Sequence, residues 1–148
     1  MISQNIYKIK KIIGPKKLII VSKKRSHDEI LDAYNTGHRD FGENKVQELI
    51  KKYEKLPKDI KWHMIGHLQK NKVKYIIPFI HLIHSVDSIE LLNKINTISE
   101  KEKKITNCLI QIKIAQEQSK FGMTKSNLEV IKNNMNKFPF VKIKGLMG

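Results

Sequence analysis

Apolar, strand-like runs recur along the chain, and stretches with helical periodicity separate them. The runs lie at 18–22, 39–42, 61–65, 81–86, 107–114 and 141–146. Because parallel strands need a crossover connection that is usually a helix, this alternation predicts an α/β fold built on a parallel sheet. The sheet could close in two ways, as an open doubly wound sheet or as a (β/α) barrel. The length of 148 residues fits one domain with its own core.

Turn and cap residues support these boundaries. At three predicted helix starts a side-chain oxygen lies three residues before a carboxylate, and a looser version with glutamine occurs at a fourth. The pairs are Ser26 with Glu29, Asp87 with Glu90, Ser126 with Glu129, and Asn44 with Gln47. Gly37, Pro78 and the Phe138-Pro139 pair are expected to end three helices.

Polar residues follow most of the predicted strands, and in either closure they would share the face where ligands bind. No Gly-x-Gly-x-x-Gly motif follows the first strand, so a dinucleotide site is unsupported. The residues on this face would be Lys23, Glu43, Asn44, Gly66, His67, Ser85, Asp87, Ser119 and Lys120.

Lys23 stands directly after the first of these strands. The unbroken run Leu18-Ile19-Ile20-Val21 predicts a strand buried on both faces. Burial and the neighbouring cations Lys24 and Arg25 favour a neutral amine, which a Schiff base with an aldehyde requires. In a chain rich in lysine, a solvated lysine that merely flanks a strand is the competing interpretation.

The formal charge of +15 raises the alternative of a basic nucleic-acid-binding module. Arginine, whose planar fork suits phosphates and bases, occurs only at positions 25 and 39. The charge is spread as single lysines, so we interpret it as a solvated surface and expect no specific nucleic-acid partner.

Cys108 is the single cysteine, so no disulfide can form within the chain and a reducing compartment fits. Residues 1–11 lack the apolar core of a signal peptide, and no apolar run is long enough to cross a bilayer. The sequence therefore predicts a cytoplasmic protein that does not enter a membrane.

Histidine spacing gives little support for a metal site. His63 and His67 are four apart, but Met64 replaces the glutamate of His-Glu-x-x-His and Gly66 interrupts a helix. His81 and His84 are three apart on a predicted strand, which would put them on opposite faces. We therefore predict no metal site.

Six sequence blocks occur in a characteristic order along the chain. The block from Trp62 to Lys72, Trp-His-Met-Ile-Gly-His-Leu-Gln-Lys-Asn-Lys, is the most characteristic. The others are Val21-Ser22-Lys23, Phe41-Gly42-Glu43-Asn44 with Gln47-Glu48, Ile83 to Ser88, Ser119-Lys120-Phe121-Gly122, and Gly145-Leu146-Met147. Together these blocks resemble the pyridoxal phosphate homeostasis proteins, single-domain relatives of the amino-terminal barrel of alanine racemase.

This resemblance implies a TIM-type barrel that binds pyridoxal 5'-phosphate (PLP) in PLP homeostasis and performs no catalysis of its own. Lys23 would hold the cofactor as a Schiff base, with Asn44, His67 and Ser85 also at the cofactor. Helix capping is a competing role for Asn44 and Ser85, and His63 is expected to be structural. The alternative enzyme is a residual amino-acid racemase, although the related enzyme takes its second base from an added carboxy-terminal domain and a dimer partner.

A complete barrel has eight strands and about 200 to 250 residues, whereas residues 1–148 form one incomplete barrel domain with about six strands. In the family, the missing part supplies the phosphate loop and the arginine at the pyridine nitrogen. Two explanations fit the sequence: a naturally truncated protein, or a fragment of a longer chain. We expect a monomer that holds the phosphate weakly, with self-association through the open edges at 18–22 and 141–146 if the chain is truncated.

Overall fold

The computed structural model describes residues 1–114 and 121–148. Six strands form one sheet in the order β1-β2-β3-β4-β5-β6, and every neighbouring pair is parallel. This order is that of consecutive strands in a (β/α) barrel, and it confirms the predicted α/β class. The strands are β1 (Ile20–Val21), β2 (Asp40–Glu43), β3 (Lys61–Met64), β4 (Leu82–Val86), β5 (Thr106–Gln111) and β6 (Val141–Met147).

One helix precedes β1, and the other helices connect the strands. They are α1 (Ile2–Ile13), α2 (His27–Asn35), α3 (Val46–Lys55), α4 (Val73–Ile76), α5 (Ile89–Lys101) and α6 (Lys125–Asn133), with 3₁₀ turns at Lys70–Lys72 and Met135–Lys137. No helix in the described ranges is both long and apolar enough to span a bilayer.

The core lies between the sheet and these helices. Phe41 and Trp62, paired across β2 and β3, are fully buried, with ring centroids 6.1 Å apart. In β5, Cys108 and Ile110 are buried while Leu109 between them is only half-buried. Strand alternation therefore directs one set of side chains toward the helices and the other toward the inner face of the sheet.

The first strand differs from its prediction. It has only two paired residues, and Val21 is 48% exposed, so burial on both faces is wrong. The reason is its place in the described sheet, where β1 is an edge strand that pairs with β2 alone. An unbroken apolar run does not distinguish such an edge from a central strand.

Helix α1 was not predicted. It brings Ile6 into the core and packs Ile2 against it, and it contacts α2. These two isoleucines are four residues apart and therefore share one face of the helix. Lys8, Lys10 and Lys11 follow Ile6 within five residues and obscure this short apolar stripe.

One predicted cap is confirmed and three are wrong. Ser26 and Glu29 form a reciprocal capping box at the start of α2. Ser88, rather than Asp87, caps α5, and Thr124 with Asn127, rather than Ser126 with Glu129, caps α6. Lys45 precedes α3 without a side-chain cap, so Asn44 does not cap it. Each region has several cap-forming residues, and the backbone conformation decides which one caps. Gly37 (φ +85°) follows α2, in agreement with the predicted helix end.

Candidate functional site

A tight turn after β1 carries Lys23. The Ser22 N–H donates to the Gly42 carbonyl at 2.9 Å, which extends the β1–β2 pairing, and the Arg25 N–H donates back to the Ser22 carbonyl at 3.0 Å. Lys24 has the left-handed φ of +59°, and its N–H donates to Glu48 Oε1 at 2.6 Å. Because its neighbours on both sides are fixed, the Lys23 backbone has a defined position at the end of the strand.

A buried ion pair lies beneath this turn. Lys52 Nζ donates to the Ser22 carbonyl and to Glu43 Oε1, both at 2.6 Å, and to Glu48 Oε1 at 2.7 Å. The Ser22 hydroxyl also donates to Glu43 Oε1, at 2.5 Å. One lysine of α3 therefore joins the ends of β1 and β2 through hydrogen bonds to charged groups, which are stronger than those between neutral groups.

The sequence interpretation overlooked Lys52, although a signal was present. It lies three residues after Leu49 and six after Val46, so it falls on the buried face of α3, where lysine is rare without a partner. Burial alone would raise the pKa of Glu48. Hydrogen bonds from Lys52 and from the Lys24 N–H outweigh this effect and hold the pKa of Glu48 below its usual value.

The Lys23 side chain is exposed. The burial that the sequence predicts for Lys23 is therefore wrong, because this residue follows an edge strand. Among the described residues it makes no hydrogen bond or ion pair, unlike Lys52. Its amine is thus available to an incoming carbonyl.

Asn44 and His67 line one open cleft of about 360 Å³ at the carboxyl ends of β2 and β3. Lys45 and Lys72 also line it, and none of its lining residues is acidic. A cleft with this lining attracts an anion.

His67 is held in place from two sides. Its Nδ1 lies 3.0 Å from Asp87 Oδ2, and its ring stacks on Phe121 with centroids 3.9 Å apart. The preceding residue, Gly66, lies against the Asn44 backbone so closely that a built Cβ would be 2.3 Å from the Asn44 carbonyl oxygen. The absence of a side chain at Gly66 brings the ends of β2 and β3 together.

Ser85 differs from the other three predicted cofactor residues. It lies within β4 and is 1% exposed, so the prediction that it follows the end of the strand is wrong. Its Oγ has no hydrogen-bond partner in the described part of the chain. Lys23 and Ser85 do not line the cleft shared by Asn44 and His67. Ser119 and Lys120 lie outside the described residues.

A second polar cluster occupies the other end of the strands. His63 Nε2 lies 2.9 Å from Asp40 Oδ1, and His63 Nδ1 lies 2.9 Å from His84 Nε2. The His81 ring packs edge to face against the same His63 ring, with centroids 5.2 Å apart. The prediction that His81 and His84 point to opposite faces is wrong, because β4 begins at Leu82 and strand alternation does not extend back to His81.

Burial controls ionisation in this cluster. It lowers the pKa of His63 and of His81, and it lowers the pKa of His84 to about 4. Burial alone would raise the pKa of Asp40, but the hydrogen bond from His63 and the charge of Lys17 hold it below its usual value. The histidines are therefore neutral near pH 7 and Asp40 is ionised.

Comparison with known proteins gives a consistent result. The family model for the alanine racemase N-terminal domain matches residues 1–148. The pyridoxal phosphate homeostasis protein of Aquifex aeolicus is 39% identical over 132 residues, covering 88% of this chain and 58% of the relative. That of Schizosaccharomyces pombe is 34% identical over 132 residues, covering 88% and 56%. The chain therefore spans less than two thirds of the length of these relatives.

Solved structures agree with this result. PipY of Synechococcus elongatus, in a structure without PLP, superposes with a TM-score of 0.93 at 32% identity, covering 99% of this chain and 70% of PipY. PipY with PLP bound gives a TM-score of 0.90 at 31% identity. Alanine racemase of Bartonella henselae, at 18% identity and a TM-score of 0.77, shares the fold. The predicted resemblance and the predicted kind of α/β fold are both confirmed.

Proposed function

The chain belongs to the alanine racemase N-terminal domain family, and from this premise we propose that it binds PLP through Lys23. The observation that carries the proposal is the exposed Lys23 amine, held at the end of β1 by a turn that the buried Glu43–Lys52 pair fixes. The PLP-bound PipY structure, at 31% identity, supports the same ligand.

The residues at the carboxyl ends of the strands suit this ligand. When bound, PLP would supply an aldehyde, with which the neutral amine of Lys23 would condense to a Schiff base with release of water. Lys45 and Lys72 make the cleft beside Asn44 and His67 favourable to an anionic ligand. The Asn44 amide, which caps no helix, and the fixed His67 ring supply polar contacts.

We include Ser85 as the fourth cofactor position. Its buried hydroxyl has no partner among the described residues, as expected for a group whose partner is a ligand.

We further propose that the protein carries and buffers PLP in homeostasis and catalyses no reaction of its own. The curated relatives are named homeostasis proteins, and the alanine racemase neighbours are distant. Four further points stay predictions: a single-domain organisation of residues 1–148, a cytoplasmic location, a monomeric state and the lack of a specific nucleic-acid partner.

Borohydride reduction of the PLP-treated protein, followed by peptide mass mapping, tests the attachment site. We expect a pyridoxyl label on Lys23 and complete loss of the imine absorbance in Lys23→Ala. The free energy of unfolding should change by less than about 0.5 kcal/mol in this variant, because the side chain is exposed.

Lys24→Asn is the matched control, since asparagine tolerates the left-handed backbone at this position. It should keep both the absorbance and the label on Lys23. A label on Lys24, or one scattered over surface lysines with none on Lys23, would contradict the assignment.

Solvent deuterium exchange at the α-carbon of alanine tests the absence of catalysis. With PLP bound, we expect exchange no faster than that caused by free PLP, because a carrier needs only the amine of Lys23. Exchange well above this level, and lost in Lys23→Ala, would show that the protein is an enzyme.

A further inference from the structure

We propose that Asp40, His63 and His81 form a binding site for a divalent transition-metal ion of the Zn²⁺ class. These residues come from the start of β2, the middle of β3 and the residue before β4. Each offers one donor atom, and the three donor atoms lie within 4.8 Å of one another. The three ligands come from three separate stretches of the sequence, so the histidine spacing, from which we predicted no metal site, could not indicate them.

The donor set indicates the kind of metal. Two imidazoles and one carboxylate bind Zn²⁺ or a similar first-row ion, and they leave one or more positions for water. Mg²⁺ and Ca²⁺ prefer oxygen ligands and would find only Asp40 here. We therefore assign the site to the softer ions.

The geometry is close to that of a bound site. Zn–N and Zn–O distances of about 2.0–2.1 Å place tetrahedral ligand atoms about 3.3 Å apart. His63 Nε2 and Asp40 Oδ1 are already 2.9 Å apart. His81 is only partly buried and precedes the strand, so its ring has room to close the remaining distance.

His84 acts as a positioning residue. Because a carboxylate only accepts hydrogen bonds, a neutral His63 carries its proton on Nε2 toward Asp40, and its Nδ1 accepts from His84 Nε2–H. A metal on His63 Nε2 requires the opposite tautomers, in which His63 Nδ1–H donates to His84 Nε2 and His84 carries its proton on Nδ1. The proton count is unchanged, and His84 holds the ligand ring in place.

Asp40 lines an open cleft of about 470 Å³ together with five cations, which oppose the entry of a metal cation: Lys10, Lys16, Lys17, Arg39 and Lys61. Lys17 Nζ lies 3.5 Å from Asp40 Oδ1, where it competes with a metal cation. Its side chain is 56% exposed, so it can swing into solvent at little cost. Removal of the Lys17 cation should therefore raise the affinity for a metal ion if the cluster is a metal site. A purely structural polar cluster would show no such gain.

The proposed metal site is separate from the proposed PLP site. Asp40 begins β2, whereas Asn44 follows its end, so the two sites lie at opposite ends of the strands. The two proposals can therefore fail independently.

Titration of the PLP-free protein with Co²⁺, followed by Zn²⁺ competition, tests the proposal through the visible absorption of the bound cobalt. We expect one saturable site per chain. Loss of a residue that supports a metal ligand costs roughly 10–100-fold in affinity, and we expect His84→Ala to weaken binding by this much. His63→Ala and His81→Ala remove a ligand itself and should weaken binding by at least as much. Lys17→Gln should bind more tightly than the native protein, because a competing cation is removed.

His27→Ala, a change outside the cluster, should leave the affinity unchanged. Free Zn²⁺ at 100 times its dissociation constant should lower the unfolding equilibrium constant about 100-fold, and His81→Ala should lose this effect. Fluorescence of the buried Trp62 shows whether each variant is folded. Failure to saturate at one equivalent, native affinity in folded His81→Ala, or no gain in Lys17→Gln would overturn the proposal.

Discussion

Replacing Lys52 with methionine is expected to lower the free energy of unfolding by about 3–5 kcal/mol. The Lys52 side chain is 4% exposed and that of Glu43 is fully buried, so the variant leaves a carboxylate in the core without its cation. Glu43 Oε2 already has no partner among the described residues, and the Ser22 hydroxyl then remains as a donor to Oε1. Most domains are stable by about 5–15 kcal/mol, so this loss is a large fraction.

Urea unfolding followed by Trp62 fluorescence measures this loss, because Trp62 is the single tryptophan and is fully buried. Lys51→Met, an exposed neighbour on the same helix, is the matched control and should change stability by less than about 0.5 kcal/mol. A similar loss in both variants would show that the helix, rather than the ion pair, is responsible.

A double variant separates the charge from the packing. Glu43→Gln combined with Lys52→Met removes the uncompensated charge, so it should be less destabilised than the sum of the two single variants. Additive effects would mean that Glu43 and Lys52 do not act as a pair. The single and double variants that carry Lys52→Met should lower the yield of the pyridoxyl label on Lys23, since the Ser22 carbonyl loses the Lys52 donor.

Gly66→Ala is expected to destabilise the protein by about 1–3 kcal/mol and to reduce PLP attachment. The added Cβ would lie 2.3 Å from the Asn44 carbonyl oxygen and 2.7 Å from its Cα. Both are backbone atoms, which cannot move aside as the end of a flexible side chain can. Relief of the contact therefore displaces Asn44 or His67 in the proposed cofactor cleft.

Gly37→Ala provides the comparison for this variant. No heavy atom lies within 4 Å of its added Cβ, but its φ of +85° costs about 1–2 kcal/mol for a residue other than glycine. Both variants should therefore unfold more easily in urea, whereas only Gly66→Ala should lower the PLP absorbance. Unchanged PLP binding in Gly66→Ala would mean that the spacing of Asn44 and His67 is not important for the cofactor.

Periodicity alone predicted the positions and the parallel direction of the strands, and the family resemblance predicted their barrel order. Five of the six predicted runs overlap closely with β2 to β6 or extend beyond them by a few residues, as with 107–114 and Thr106–Gln111. Apolar runs separated by helical periodicity allow few alternatives, because short connections through helices make neighbouring strands parallel. Motif spacing then predicted the family, which the comparisons confirm.

Local chemistry was less predictable. Asp87 and Ser88 are adjacent, and both can cap a helix, but only Ser88 does so, while Asp87 contacts His67 instead. Residue type makes a cap possible, and the backbone conformation at the helix start selects which residue is used. The same ambiguity made Asn44 a candidate cap, which the structure excludes.

Burial and long-range contacts were decided only by the tertiary structure. The run Leu18-Ile19-Ile20-Val21 resembles a central strand, and only the count of about six strands implied an open edge at 18–22. The packed sheet was needed to choose between a buried and a solvated Lys23. Lys52 meets Ser22 across 30 residues, and Asp40 meets His63 across 23. Strand alternation predicts which side chains share a face, but only the packed sheet shows which of them come within bonding distance.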